Sequence, residues 1–136
     1  LEESNLSKAI LRSLNPIAAK AKLTVKFPVS RRHVPDSTAH AVLHIIRELS
    51  ANAINHGKAS TIHVEGKLEN SFLQFSVEDD GIGFDPEDHP GVQEGHFGIQ
   101  GIRERLCHLN GRITFSSAKN RGCKVQVEIP LDSPCS

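Results

Sequence analysis

The order of helical and alternating apolar patterns along this chain restricts it to a fold in which helices are segregated from paired strands. A long helical pattern precedes two segments in which apolar and polar residues alternate, and a shorter helical pattern precedes two more. Alternating segments joined by a short turn form antiparallel hairpins, whose apolar faces need cover from helices. We therefore predict an α+β fold, a two-layer sandwich of helices on a sheet.

The long helix is predicted to start at an N-cap, Asp36 or Ser37, and to end near His56. Its apolar positions recur at spacings of four, three and four residues, which places them on one face. An N-terminal helix that Pro16 ends or restarts, and a short strand over residues 23–27, precede it. The predicted core stripe of the long helix consists of Val42, Ile46, Leu49 and Ala53.

Two hairpins are predicted from period-two alternation. Residues 62–68 and 73–79 alternate on either side of a turn at residues 70–71. Residues 113–115 pair in the same way with residues 125–129. Since each hairpin follows a helical pattern, both apolar faces have a helix available to cover them.

Composition and charge exclude several functions. The 136 residues are 38% apolar and 24% charged, which is ordinary for a globular domain. We expect a single domain, with residues 1–34 as an N-terminal helix and strand and residues 35–131 as the motif-bearing core. A formal net charge of zero and an aromatic content of 4% argue against nucleic acid as a partner.

The cysteines and the apolar runs bear on location. Cys107, Cys123 and Cys135 form neither a disulfide framework nor a metal motif, so reduced thiols in the cytoplasm are expected, with Cys107 buried. No apolar run approaches the roughly 20 residues needed to cross a bilayer. Methionine is absent even at the first position. We therefore expect a piece of a longer protein, with any membrane anchor outside it.

A polar stripe runs along the long helix. Glu48, Asn52 and Asn55 fall within roughly 60° of one another, at about 100° per residue, and face away from the apolar stripe. A carboxylate and a carboxamide one turn apart supply oxygens to Mg²⁺, which prefers a few protein ligands plus phosphate. A solvated helix face explains the same residues, and from the helix alone that explanation is favoured.

The first hairpin ends in two aspartates and a glycine-rich turn. Strand parity places Asp79 on the core face and turns Asp80 outward. A buried carboxylate requires a donor, for which the exocyclic amine of a base is suitable. Gly81 and Gly83 let the backbone approach a ligand. An ordinary Asp-Gly turn explains these residues about equally well.

The shorter helix before the second hairpin opens with Gly95, Gly98 and Gly101 and ends near Leu109. Glycines ahead of a helix expose backbone N–H groups that, with the helix dipole, favour phosphate. The pattern alone is weak evidence. It lacks the preceding strand of a dinucleotide fingerprint and the Gly-Lys-Ser/Thr ending of a P-loop.

Taken in this order, the three segments resemble the motifs of the catalytic domain of bacterial sensor histidine kinases. RELSANAINH is similar to the asparagine box, VEDDGIGFD to the first glycine box and GHFGIQGIRERL to the second. The last segment, with NGRITFSS and RGCKVQVEIPL after it, is most similar to the subfamily that pairs with helix-turn-helix response regulators. The resemblance covers residues 35–131 and implies the Bergerat ATPase fold, a mixed sheet covered on one face by helices.

The resemblance implies roles for individual positions. It assigns Mg²⁺ coordination to Asn52, the catalytic acidic residue to Glu48 and recognition of adenine to Asp79. The further positions that it places near the base, the phosphates or the ATP lid are Asn55, His56, Gly81, Gly83, Gly98, Ile99, Gly101 and Cys123.

Two positions depart from the family pattern. Cys123 follows Gly122 where the family normally has a threonine, and Asn55 replaces the common lysine or arginine. A thiol in place of a hydroxyl and the loss of one charge both lower the expected affinity for a nucleotide without changing the fold.

The phospho-acceptor is expected on another domain. None of the eight histidines is followed by an acidic residue, which is the usual pattern of the acceptor in this family. The resemblance implies that this chain binds Mg·ATP and donates the γ-phosphoryl group to a histidine of an adjacent dimerisation domain. The full protein is expected to be a homodimer that signals to a helix-turn-helix response regulator, and the isolated chain to be monomeric and unable to autophosphorylate.

Two alternative functions remain open from the sequence, a serine kinase of the anti-sigma-factor type and a nucleotide-binding module without catalysis. Two further side-chain pairs are weaker candidates. His40 and His44 have the spacing of a helical metal pair, but no third ligand is evident. Arg103 and Arg105 are as readily paired with nearby glutamates as with phosphate.

Overall fold

The computed structural model describes residues 6–30, 34–55, 58–81, 97–117 and 122–131. None of the helices in these ranges has the length and apolar character that spanning a membrane requires. In chain order the elements are α1 (Leu6–Ser13), α2 (Asn15–Ala18), β1 (Lys22–Lys26), α3 (Asp36–Asn55), β2 (Thr61–Glu69), β3 (Phe72–Asp79), α4 (Phe97–His108), β4 (Arg112–Ser117) and β5 (Cys123–Pro130).

The five strands form one mixed sheet in the order β1-β2-β3-β5-β4. β1 runs parallel to β2, and the other neighbouring pairs are antiparallel. The turn between β2 and β3 is built on Asn70 and Ser71, whose φ angles of 54° and 66° are those that a tight two-residue hairpin requires. The predicted α+β fold and both predicted hairpins are confirmed.

The long helix and the central strand supply the middle of the core. All four residues of the predicted stripe on α3 are buried, and the most exposed of them, Ala53, is 7% exposed. On β3, Leu73, Phe75 and Val77 are buried, whereas the residues between them are more exposed. Because successive side chains of a strand point to opposite faces, the helices cover the face that carries these three residues.

Phe27 packs the N-terminal segment against the sheet. It follows β1, which starts and ends one residue earlier than predicted, and it is fully buried with its ring centre 5.8 Å from that of Phe75. The Phe27 N–H donates to Ser7 Oγ at 3.0 Å, and the Ser7 hydroxyl lies 2.9 Å from the Phe27 carbonyl oxygen, to which it donates. A Cβ at Gly66 would overlap the Phe27 ring. The glycine on β2 is therefore what makes room for this ring.

Pro16 occupies the second position of α2, after α1 has ended at Ser13. Proline is well tolerated in the first turn of a helix, where its missing N–H has no partner to lose. The chain therefore ends one helix and starts another at this point, as predicted.

One cysteine was placed wrongly by the sequence. Cys107 is exposed, although burial was predicted. Its neighbour Leu106 and the earlier Ile102 are the buried residues of α4. One step along a helix turns the side chain by about 100°, which carries Cys107 away from the core.

We predict that Gly66→Ala lowers the free energy of unfolding by about 1–3 kcal/mol, because the added methyl group overpacks against the Phe27 ring. Gly101→Ala is the matched control, since open space surrounds the added methyl group and alanine favours a helix by up to about 1 kcal/mol. Urea denaturation measures both changes. Unchanged stability of Gly66→Ala would contradict the proposed packing.

Candidate functional site

Asp79 ends the central strand with its side chain half-buried on the core face, as predicted. Its Oδ1 accepts a hydrogen bond from the N–H of Gly81 at 2.7 Å, and the N–H of Cys123 on β5 donates a second. Burial raises the pKa of Asp79 above its ordinary value; the Gly81 bond opposes this shift and the charges of Asp80 and Glu78 add to it. The charged form of a half-buried carboxylate is stabilised by any further N–H donor that a ligand brings.

Asp80 is exposed and ties the end of β3 to the start of β2. Its Oδ1 accepts hydrogen bonds from the N–H groups of Ser60 and Thr61 at 2.8 and 2.9 Å, and its Oδ2 accepts one from the Ser60 hydroxyl at 2.8 Å. These bonds, that from the Thr61 N–H most of all, lower the pKa of Asp80 to about 2. Strand parity predicts the outward orientation but not this tie. The signal in the sequence that could have predicted this tie is the hairpin itself, which brings the start of β2 beside the end of β3.

The tie holds the end of α3 near the end of β3. The N–H of Ala59 donates to the carbonyl oxygen of Ala53, in the last turn of α3, at 2.9 Å. This bond holds Ala59 against the end of the helix. Two residues later β2 begins, and its Ile62 lies opposite Asp79 in the sheet. The last turns of α3, which carry Asn52 and Asn55, therefore lie at the same end of the sheet as Asp79.

α4 points back toward the same end of the sheet. A short turn joins it to β4, which begins at the end far from Asp79. Earlier in α4, the guanidinium of Arg103 lies 5.5 Å from the centre of the Phe115 ring, near the other end of β4. The first turn of α4, which includes Gly98 and Ile99, is therefore carried to the end where Asp79 lies.

Gly122 and Cys123 border Asp79 from the neighbouring strand. Gly122 has a φ of 84°, a conformation that favours glycine, and a Cβ there would overlap the carbonyl oxygen of Asp79. Cys123 is buried and lies opposite Asp79 in the pairing of β3 with β5. The departure from the family pattern therefore places a buried thiol directly beside the candidate adenine-binding carboxylate.

Three predicted elements thus meet at one end of the sheet, namely the polar stripe of α3, the carboxylate that ends β3 and the first turn of α4. Of the residues that the resemblance assigned, His56 and Gly83 lie outside the described residues, as does the side chain of Ile99. The roles assigned to the remaining positions stay predictions. On α3, Glu48 and Asn52 are half-buried and Asn55 is exposed.

The residue types at this end of the sheet fit a purine nucleotide and its metal. Asp79 offers a half-buried carboxylate to an exocyclic amine. Glu48 and Asn52 offer side-chain oxygens, which Mg²⁺ prefers. The first turn of α4 offers backbone N–H groups to phosphate.

The sequence as a whole carries a family signature. A model of the family described as histidine kinase-, DNA gyrase B-, and HSP90-like ATPase matches residues 38–133, which is more than half of the chain. The chain belongs to this ATPase family. The identification agrees with the mixed five-stranded sheet.

Curated relatives of this ATPase domain carry the names of sensor proteins. Sensor histidine kinase YdfH of Bacillus subtilis is 35% identical over 95 residues, which cover 69% of this chain and 23% of the relative. Sensor protein NarQ homolog of Haemophilus influenzae is 26% identical over 134 residues, which cover 96% of this chain and 23% of the relative. The chain therefore spans about a quarter of the length of these relatives.

Solved structures show the same fold. The histidine kinase domain from the Erythrobacter litoralis EL346 blue-light activated histidine kinase superposes with a TM-score of 0.76 at 25% identity, covering 93% of this chain and 61% of that one. The ATP binding domain of PrrB from Mycobacterium tuberculosis has a TM-score of 0.69 at 15% identity, with 95% and 96% covered, and supports the fold alone. The predicted resemblance to sensor histidine kinases is confirmed.

We predict that Asp80→Asn lowers stability at neutral pH and that this loss disappears in acid. A carboxylate with a depressed pKa stabilises the fold fully above its unfolded pKa of about 3.9, and the contribution is lost as pH falls through the folded pKa of about 2. The urea midpoints of parent and variant should therefore differ most above about pH 4 and converge toward about pH 2.

Glu104→Gln is the control for this series, because Glu104 is an exposed carboxylate on α4. Its urea midpoint should follow that of the parent chain at each pH. A difference between Asp80→Asn and the parent that stays constant from neutral pH into acid would contradict the tie to Ser60 and Thr61.

Proposed function

We propose that this chain binds Mg·ATP as the catalytic domain of a two-component sensor histidine kinase. The observation that carries the proposal is the meeting of the α3 stripe, Asp79 and the first turn of α4 at one end of the sheet. Membership of the ATPase family and the sensor histidine kinases among its relatives support it.

In this proposal Asp79 recognises the amine of adenine. Its carboxylate already accepts two backbone hydrogen bonds, from Gly81 and Cys123, so its orientation is fixed before a ligand arrives. Because burial has removed part of its hydration, an amine donor from the base replaces interactions that water no longer supplies. Gly122 allows β5 to approach the backbone of Asp79 closely, since a side chain there would overlap the Asp79 carbonyl oxygen.

The phosphates are proposed to lie between the polar stripe of α3 and the first turn of α4. Asn52 is the proposed Mg²⁺ ligand, with Glu48 one turn before it. When bound, Mg²⁺ supplies neutralisation of the triphosphate charge. Gly98 and Gly101 leave the backbone of the first turns of α4 open to phosphate oxygens. Asn55 is exposed and adds no charge to this side.

The proposed reaction transfers the γ-phosphoryl group to a histidine on an adjacent domain of the full protein. A ring nitrogen of that histidine forms a bond to phosphorus, while the bond to the bridging oxygen breaks and ADP keeps its electron pair. Glu48 accepts or polarises the proton of the attacking imidazole. Positioning and charge neutralisation provide most of the catalysis in phosphoryl transfer, which explains why few reactive side chains are needed.

The full protein is proposed to act as a cytoplasmic homodimer or membrane-anchored homodimer that passes the phosphoryl group to a helix-turn-helix response regulator. A nucleotide-binding module without kinase activity is the second candidate, since Asn55 and the buried Cys123 both depart from the family pattern. Joining the chain to its own upstream region and assaying for phosphohistidine separates the two. Nucleotide binding without phosphohistidine would favour the second candidate.

We predict that Asp79→Asn weakens binding of a non-hydrolysable ATP analogue about 10- to 100-fold, because a hydrogen bond to a charged group contributes about 1.5–3 kcal/mol. Isothermal titration calorimetry measures the change. Glu78→Gln is the matched control, since Glu78 is the exposed neighbour on the opposite face of β3. Equal affinity of Asp79→Asn and the parent chain would remove Asp79 from the adenine site.

We predict that Asn52→Ala abolishes the dependence of analogue binding on Mg²⁺, because the variant removes the proposed metal ligand from α3. The same titration with and without Mg²⁺ gives the dependence. Gln126→Ala, on the exposed face of β5, should keep the full dependence. A variant at Asn52 that still needs Mg²⁺ would show that the metal is held elsewhere.

A further inference from the structure

A cavity of about 290 Å³ lies on the helical side of the protein, and the lining residues that the structure describes are not among those assigned to ATP. Three helices contribute to it, α3 for the most part, together with the end of α1 and the last turns of α4. Its volume is close to the lower limit for small-ligand sites. The lining residues are Ser13, His40, Leu43, His44, Arg47 and Arg105.

The lining is cationic, although the formal net charge of the chain is zero. Among the described residues, none that lines the cavity is acidic, and neither Arg47 nor Arg105 takes part in an ion pair. Glu48 is the carboxylate whose charge acts on His44, and it lies one turn along α3. Two guanidinium groups thus line this space without an ion-pair partner in the part of the chain that the structure describes.

The positive charges of the arginines disfavour a metal cation at the histidine pair. Burial lowers the pKa of His44, and the charges of Arg105 and Arg47 lower it further, against an opposing effect of Glu48. The same positive charges repel a divalent cation. Among the described residues, no group of three His, Cys, Asp or Glu side chains forms a metal site.

The cavity is distinct from the proposed ATP site. At about 100° per residue, His40, Leu43 and Arg47 lie roughly 80–140° around α3 from Glu48, whereas His44 lies about 40° from it. Arg105 belongs to the last turn of α4, whereas Gly98 lies in its first turn. Apart from His44, which borders the stripe at Glu48, the lining residues therefore occupy a different face of α3 and the opposite end of α4.

We propose that this cavity binds a phosphate-type dianion at a site separate from the nucleotide. Two arginines carry two fixed positive charges, which match a dianion better than a single carboxylate. Their planar forks offer paired N–H donors to oxyanions, and the imidazoles of His40 and His44 and the hydroxyl of Ser13 add further donors. Leu43 supplies the apolar part of the lining.

The test is a titration of the chain with inorganic phosphate, followed by NMR of the histidine side chains at constant ionic strength with chloride as the balancing anion. The resonances of His40 and His44 should shift and saturate, and the pKa of His44 should rise because the anion stabilises its charged form. Around His44 the charged groups are Arg47 and Glu48 on its own helix and Arg105 from α4, while α1 contributes the uncharged Ser13. His63, on the sheet beside Glu65, is the internal control and should not respond.

Variants show whether the arginines bind the anion. Arg47→Gln and Arg105→Gln should each weaken phosphate binding about 10-fold or more, because each removes charged hydrogen bonds to the anion. Arg112→Gln, on the edge strand β4, is the matched control and should bind like the parent chain. The response of His40 and His44 should persist when the chain is saturated with the non-hydrolysable ATP analogue, which fills the proposed ATP site together with its phosphate positions, and loss of the response would place the phosphate in that site.

Three results would overturn the proposal. The first is a response of His40 and His44 that does not saturate or that chloride reproduces. The second is unchanged phosphate affinity in both arginine variants. The third is tighter binding of succinate than of phosphate, which would assign the cavity to carboxylates instead.

Discussion

The carboxylate of Asp80 holds together the parts of the fold on which the proposed ATP site depends. Through Ser60 and Thr61 it joins the end of the central strand to the short connection that leaves α3. The polar end of α3 leads into this connection, and Asp79 is the residue directly before the Asp80 that binds it. An exposed, structural carboxylate therefore helps to set the position of the half-buried carboxylate that we propose binds adenine.

The two adjacent aspartates show how strand geometry gives identical side chains opposite properties. Burial raises the pKa of Asp79, whereas hydrogen bonds to the charged form lower the pKa of Asp80 to about 2. One residue of displacement along β3 reverses the face of the sheet, and the environment decides the rest. Burial of the Asp79 carboxylate slightly lowers the stability of the folded chain, and a hydrogen-bond donor on a bound ligand offsets this loss.

Local periodicity predicted the parts of this fold that depend on one segment at a time. The four-residue stripe of α3, the turn at Asn70 and Ser71, and the inward direction of Asp79 all follow from the repeat of a helix or a strand. The contacts that periodicity could not predict join distant segments. The tie from Asp80 crosses from one strand to the start of another.

The error at Cys107 has a related cause. Its place on a helix was predicted correctly, but only the packing of α4 against its neighbours decides which of two adjacent residues, Leu106 or Cys107, faces the core. The cavity beneath Arg47 and Arg105 likewise exists only because two helices far apart in the chain lie side by side. At the candidate site, the order of three motifs identified the elements, and tertiary structure brought them to one end of the sheet.

The packing of Phe27 has a consequence for where this folding unit begins. The family signature starts inside α3, yet the ring of Phe27 and the buried side chains of Leu6, Ile10 and Leu14 belong to the same core as β3. A chain trimmed to the signature would lose β1 and leave the backbone of β2 unpaired over the five residues Thr61–Glu65. Unpaired backbone groups at a sheet edge can pair with another chain and cause aggregation. By covering this edge, β1 also reduces self-association.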